Sequence, residues 1–177
     1  MATVVLGICG SIAAYKAVDV ASRLVKLGHE VHCVCTPTAL RFVTPLSLMT
    51  LSRHAVISSF EDETTGWVPA HIALAERADV LAIAPASAHT IGCMAQGLAP
   101  NVLTSLYLAN RAPVLVFPAM NAHMWEHPAV QQNVQTLLGR GHRVIAPASG
   151  VLACGAEGQG RLAPVEDIVA EIVKAAQ

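Results

Sequence analysis

Charge is scarce in this chain. Asp, Glu, Lys and Arg together make up 13% of its 177 residues, and aromatic residues only 4%. The net charge is −1 and no basic cluster occurs, so nothing in the sequence argues for nucleic acid as a partner. No apolar run approaches the roughly 18 residues that a membrane-spanning helix needs, and no membrane association is expected. The five cysteines (Cys9, Cys33, Cys35, Cys93, Cys154) form no CxxC pair, and Cys33-x-Cys35 is too tight to chelate, so no metal is expected. The opening MATVVLGICGSIAAYK lacks the positively charged lead of a secretory signal, because Lys16 follows the apolar stretch. An odd cysteine count without such a signal indicates a reducing cytoplasm. Internal repeats and low-complexity stretches are missing as well.

Apolar residues are abundant instead. They account for 54% of the chain, and the mean hydropathy is +0.52. That is high for a soluble monomer, and it predicts a large surface buried between subunits of a homo-oligomer. The length suits one domain over residues 1–177 with a real core.

Along the chain, short β-branched runs alternate with turns and amphipathic segments. TVVLGIC (3–9) is a predicted strand leading to a helix over about 12–27, stopped by Gly28. EVHCVC (30–35) follows, then TPTALRFVTPLSLMTLS, which reads as helix broken by Pro37 and Pro45. The polar segment 58–69, with Gly66 and Pro69, reads as a surface loop before a helix around 71–77. DVLAIAP (79–85), APVLVFP (112–118) and RVIAPA (143–148) are further strands, and a helix over 165–175 closes the chain. Strands that are apolar throughout, alternating with helices, predict an α/β fold with a doubly wound parallel sheet (Rossmann/flavodoxin-like), covered on both faces.

Such sheets bind ligands outside the carboxyl ends of their strands. The unusual stretches all fall there: GSIAAYK, TPTA, PASAHT, PAMNAHMW and PASGVLACGAEGQGR. GICGSIAAYK has neither G-x-G-x-x-G nor G-K-[ST], which leaves a small turn with Ser11 opening a helix. Free backbone N–H groups at such a start attract one phosphate, although a Gly followed by a Ser N-cap also simply starts a helix. PASAHT offers Ser87 and Thr90 in a second hydroxyl-bearing turn, with the same two readings. Two such turns at neighbouring strand ends favour a mononucleotide over a dinucleotide. PAMNAHMW places two methionines, an amide and a tryptophan where a strand should merely turn, so soft side chains can meet a ligand.

GSIAAYK, His71 in HIALAERAD, PASAHT, P-x-M-N-x-x-M-W and GVLACGAEGQGR together resemble the flavin-dependent cysteine decarboxylases, over nearly the whole chain. The resemblance implies FMN as cofactor, held by Gly10, Ser11, Thr36, Thr38, Ser87, Thr90 and Met120. It also implies a homotrimer, or a dodecamer of trimers, with sites between subunits. In this family the flavin oxidises the cysteine C–S bond to a thioaldehyde, which accepts the electron pair as carbon dioxide leaves. His71 resembles the histidine of the oxidation step, acting at the flavin of a neighbouring subunit; by itself it also fits a partly exposed helix histidine. Asn121 resembles the residue that holds the substrate carboxylate, and it equally suits a turn. Met120, Met124 and Trp125 correspond to the soft wall, ordinary core filling being the other reading of Trp125. Cys154 resembles a flap cysteine that protonates the ene-thiolate, and Gly150, Gly155, Gly158 and Gly160 suit a mobile lid. Cys9, Cys33, Cys35 and Cys93 read as packing residues. His29, His32, His54, His123, His127 and His142 show no ligand spacing.

Two positions depart from the pattern. His89 stands in PASAHT where the family usually has Asn. Glu76 stands where coenzyme A pathway members carry an Arg that holds the substrate phosphate, with Arg77 next to it; Lys16 still resembles a lysine that contacts phosphate. With Cys154 in LACG, the resemblance implies phosphopantothenoylcysteine as substrate and phosphopantetheine as product; Glu76 favours the alternative. A C-terminal peptidyl cysteine, decarboxylated only as far as the ene-thiol, is the alternative. A non-catalytic flavoprotein regulatory subunit is a third reading. Flavin prenyltransferases share the fold but lack P-x-M-N-x-x-M-W.

Overall fold

The strands are apolar because both of their faces are covered. In the computed structural model, which describes residues 1–63, 68–151, 153, 155 and 157–177, five strands form one parallel sheet in the order β2-β1-β3-β4-β5. They are β1 (Thr3–Ile8), β2 (Glu30–Cys35), β3 (Val80–Ala86), β4 (Val114–Pro118) and β5 (Arg143–Val144). Successive side chains alternate between two cores, as a pleated strand requires. Val4, Leu6 and Ile8 of β1 enter one cluster with Leu115 and Phe117 of β4, while Val5 enters the other with Leu81, Ile83 and Val116. This order is the flavodoxin-like one, and it confirms the predicted fold class.

Helices fill both faces. On the first lie α1 (Lys16–Lys26), α2 (Pro45–Ser52) and α8 (Val165–Ala175). The buried residues of α1, namely Ala17, Val20, Ala21 and Leu24, follow helical spacing and meet Ile168 and Ile172 of α8. The second face carries α3 (Ala70–Arg77), α4 (Ala88–Gln96), α5 (Val102–Ala109) and α7 (Pro128–Gly139). The short helix α6 (Ala122–Glu126) precedes α7.

The structure refines the sequence expectation in several places, and the break at Pro37 and Pro45 is where it was expected. The helix expected over 12–27 begins as a 3₁₀ turn, Ile12–Tyr15, before α1 proper. The segment around Pro37 and Pro45 separates into a 3₁₀ turn, Ala39–Arg41, and α2, with Pro45 in the first turn of the helix. The strand expected over 143–148 keeps two residues in the sheet, because Pro147 has no N–H to continue a ladder. Beyond it, β6 (Ala148–Val151) pairs antiparallel with β7 (Glu157–Arg161), in the stretch expected to be a lid. Part of the polar segment forms a 3₁₀ turn, Phe60–Glu63, and residues 64–67 lie outside the described residues.

Cys9, Cys33, Cys35 and Cys93 are buried free thiols, in keeping with packing roles. Burial penalises the thiolate and pushes Cys33 and Cys35 up to about 12. An unfolded cysteine ionises near 8.5. These thiols therefore contribute stability that is complete below that pH and is lost as pH rises toward 12. Urea unfolding midpoints should fall progressively above about pH 8.5, and Cys33→Ala should flatten the decline. An equally steep decline in that variant would remove the thiol from the account.

Candidate functional site

A parallel sheet of this order has its crevice between the carboxyl ends of β1 and β3, where the chain leaves in opposite directions. The two hydroxyl turns meet there. Ser11 caps the turn after β1, its Oγ accepting the Ala13 N–H at 3.2 Å. Ser87 caps α4, its Oγ accepting the Thr90 N–H at 3.3 Å and donating to Thr90 Oγ1 at 3.2 Å. Both serines line one cavity of about 470 Å³, within the roughly 300–1,000 Å³ typical of small-molecule sites. Gly10 lines it too, and it needs to be glycine. A Cβ there would sit 2.5 Å from Thr38 Cγ2, so its absence lets the β1 turn touch the β2 turn.

The other expected hydroxyls stand behind this wall. Thr36 is buried, and its Oγ1 accepts the Ala39 N–H at 3.3 Å. Thr90 is 1% exposed and bonded to Ser87. Thr38 is exposed beside Gly10. These three shape or support the turns and do not line the cavity.

PAMNAHMW forms the opposite wall. Ala119, Met120, Asn121 and Met124 all line the cavity. Asn121 caps α6, its Oδ1 accepting the His123 N–H at 2.9 Å. An asparagine amide also carries N–H donors, the kind of group that suits a carboxylate. Trp125 turns the other way, into the core with Val134 and Leu137, so core filling is its role in this chain.

The β6–β7 hairpin closes a third side and packs directly on this wall. The Met120 N–H donates to the Gly160 carbonyl at 3.0 Å. A Cβ on Gly160 would overlap the Met120 carbonyl oxygen, and one on Gly158 would lie 2.7 Å from Ala122 Cβ. These two glycines thus serve close backbone approach. The hairpin brings Val151, Leu162 and Arg161 to the cavity, and Gly150 leaves room for the Arg161 guanidinium. The lining is mostly apolar, with Lys16 and Arg161 as its cations and no carboxylate among the described residues. Such a field favours an anionic ligand. Arg161 was not singled out from the sequence; its only signal was its place at the end of GAEGQGR.

Other expected site residues lie elsewhere. His71 sits in the first turn of α3, half-buried, edge-on to Phe60 with ring centroids 6.0 Å apart, and does not line the cavity. Cys154 lies outside the described residues. Glu76 is exposed. Arg77 is paired to Glu30 at 2.8 Å, at the amino end of β2 and away from the cavity. His89 is exposed on α4, its Nε2 3.6 Å from the Cys93 sulfur.

A mononucleotide-sized cavity at the switch point of a 2-1-3-4-5 sheet defines a flavodoxin-like ligand-binding protein. The chain belongs to the Flavoprotein family, whose profile matches residues 1–177. It is 45% identical over 166 residues to the bifunctional coenzyme A biosynthesis protein CoaBC of Bacillus subtilis, covering 94% of this chain and 41% of that protein. It therefore spans less than half the length of that relative. The probable phosphopantothenoylcysteine decarboxylase of Streptococcus mutans is 43% identical over 171 residues, 96% of each chain. Among solved structures, a PPC decarboxylase mutant complexed with pantothenoylaminoethenethiol has a TM-score of 0.89 at 34% identity, covering 98% of this chain and 97% of that one. The FMN-dependent cysteine decarboxylase SpaF has a TM-score of 0.85 at 32% identity, covering 100% and 98%.

The hairpin contact can be tested directly. Gly160→Ala must push β7 away from Met120, since the obstructing atom is backbone. A destabilisation of roughly 1–3 kcal/mol, the usual cost of forced overpacking, is expected in urea melts, together with weaker flavin binding. Unchanged stability and unchanged flavin affinity would show that the hairpin does not bear on the site.

Proposed function

We propose that this chain is an FMN-dependent decarboxylase of a cysteine-derived carboxylate, with phosphopantothenoylcysteine of coenzyme A biosynthesis as its substrate. The observation that carries the reading is the wall made by PAMNAHMW: Asn121 between two cavity-lining methionines, in a cavity with two cations and no acid among its described residues. The similarity to the Streptococcus mutans and Bacillus subtilis proteins supports it.

The residues present fit FMN. Two helix starts capped by Ser11 and Ser87 suit its phosphate, and Met120, Ala119 and Leu162 offer an apolar surface to a flat ring. Bound there, FMN would supply the two-electron oxidation of the substrate C–S bond and, once reduced, the hydride that saturates the product. Asn121 donates its amide hydrogens to the substrate carboxylate. Met120 and Met124 keep water from it, which favours its loss as neutral carbon dioxide. Lys16 and Arg161 offer positive charge to the substrate phosphate. His71 accepts the thiol proton in the oxidation step, a task suited to an imidazole. Because it stands apart from its own cavity, it acts at that of a neighbouring chain, in a homotrimer or a dodecamer of trimers. Cys154 returns a proton to the ene-thiolate. The reaction belongs in the cytoplasm, where coenzyme A precursors are soluble metabolites.

A second reading has one observation in its favour. Glu76 leaves no cation at the phosphate-clamp position, and Arg77 is committed to Glu30. A cysteine-ended peptide carries no phosphate and needs no clamp.

Purified protein should be offered both substrates and followed by mass spectrometry. Phosphopantothenoylcysteine should lose carbon dioxide and yield the saturated thiol, and Cys154→Ser should stop at the unsaturated ene-thiol. Turnover of the peptide alone would overturn the assignment. His71→Asn should retain FMN yet show no flavin bleaching on substrate addition; bleaching at the wild-type rate would remove His71 from the chemistry.

A further inference from the structure

We propose that Glu30, His32 and His54 form a binding site for a divalent first-row transition ion of the zinc class, at the amino edge of the sheet and remote from the flavin cavity. These are the only three His, Cys, Asp or Glu residues among the described residues whose ligand atoms converge in this way, all lying within 4.8 Å of one another. His32 Nε2 is 2.8 Å from Glu30 Oε1, and His54 Nε2 is 3.8 Å from the same oxygen. A tetrahedral zinc with bonds of about 2.0–2.1 Å holds its ligands about 3.4 Å apart. The two separations from Glu30 bracket that value and the third lies within 4.8 Å, so side-chain rotations alone can bring the three to zinc spacing. Two imidazoles and one carboxylate are a ligand set that suits zinc and its neighbours.

The set is assembled by the backbone. Glu30 and His32 are two apart on β2 and so share one face of the strand. His54 arrives from the turn after α2, where Arg53 adopts φ 63 and the Ser52 hydroxyl accepts the His54 N–H at 3.3 Å. The chain then runs beside β2, Ile57 exchanging hydrogen bonds with Cys33 and Cys35 at 3.1 and 2.8 Å. The two imidazole rings stack with centroids 4.1 Å apart and 33° between planes. Thr3 Oγ1 donates to the other carboxylate oxygen at 3.4 Å, which orients Glu30 from behind. The side chains of His32, Glu30 and His54 are 14%, 28% and 36% exposed, partly desolvated yet open on one side for a water ligand.

One group competes. The Arg77 guanidinium lies 2.8 Å from Glu30 Oε1, so without an ion the carboxylate is already neutralised. Arg77 is 57% exposed and free to swing into solvent when an ion takes its place. Binding would exchange one cation for another and tie the edge strand β2 to the segment that covers it.

The test uses the full-length, tag-free flavin-loaded protein, titrated with Zn²⁺ against a chromophoric chelator. About one ion per chain is expected, with a rise in melting temperature that scales with free zinc. His54→Gln and His32→Gln should each weaken binding about tenfold or more, with flavin content unchanged; His54 sits in a half-exposed turn, so its loss tests the site even if His32→Gln folds poorly. Arg77→Ala should tighten binding several-fold, since it removes the competing cation, an effect that a merely structural role for the cluster does not produce. Absence of stoichiometric zinc uptake by the wild type would overturn the proposal, as would undiminished affinity in His54→Gln or weakened affinity in Arg77→Ala.

Discussion

One backbone contact organises the cavity: the Met120 N–H on the Gly160 carbonyl, with no room for a side chain between the segment after β4 and strand β7. A two-stranded hairpin has little stability by itself in water. The β6–β7 pair exposes Ser149, Val151 and Glu157 and buries little apolar surface of its own. It persists because Gly158 and Gly160 let it lie against Met120 and Ala122, and because Gln159 Nε2 adds a bond to the Pro147 carbonyl at 3.0 Å. Val151, Arg161 and one whole side of the cavity depend on that docking. So does the position of Met120, whose own N–H is satisfied by the hairpin. A site built on the end of β4 would otherwise be an open shelf.

The parallel sheet separates two kinds of chemistry in space. Every helix start after a strand faces the carboxyl edge, where partial positive charge and free N–H groups attract anions. The helices that lead into strands of the sheet, α1, α3, α5 and α7, end at the amino edge, where the carboxylate of Glu30 collects Arg77, His32 and His54. Helix α3 shows the separation within one element. Its first turn holds His71 near the ligand edge, and its last turn holds Arg77 at the opposite one, six residues and about 9 Å further along the axis. A shift of a cation by one position along this helix is therefore no small change. At 77 the guanidinium is drawn to Glu30, and at 76 the chain presents a carboxylate to solvent.

What was legible in the sequence follows from this physics. Strands β1, β3 and β4 are buried on both sides, so they appear as unbroken apolar runs, and the fold class comes from them. Ser11 and Ser87 were legible because a serine before a helix has few other uses. Thr36 and Thr90 were read as facing a ligand, yet their hydroxyls serve local backbone and serine partners, a choice that depends on side-chain direction and not on residue type. The hairpin was illegible for a different reason. EGQGR contains no β-branched or aromatic residue, and glycines needed for close approach look the same in sequence as glycines needed for motion. The Glu30, His32 and His54 cluster could not be seen either, since its third member comes from beyond α2 through a pairing that leaves no local pattern.

The greasy composition finds its expression at the cavity mouth. Ile12, Tyr15, Met124 and Val151 line the cavity, yet they are 61%, 61%, 48% and 59% exposed. Large exposed apolar side chains grouped around the mouth of a cavity suit a surface that another body covers. The same chain places His71 on α3, outside its own cavity. Both features have one economical solution in the homo-oligomer proposed above. A neighbouring copy seated on the rim would bury these side chains and bring in a histidine that a single chain withholds from its own site. Association and chemistry would then be coupled, because the apolar contact that holds the subunits together would also exclude water from the reacting carboxylate. The low charge content suits that arrangement, since each charge placed on the rim would have to be desolvated when the neighbour docks.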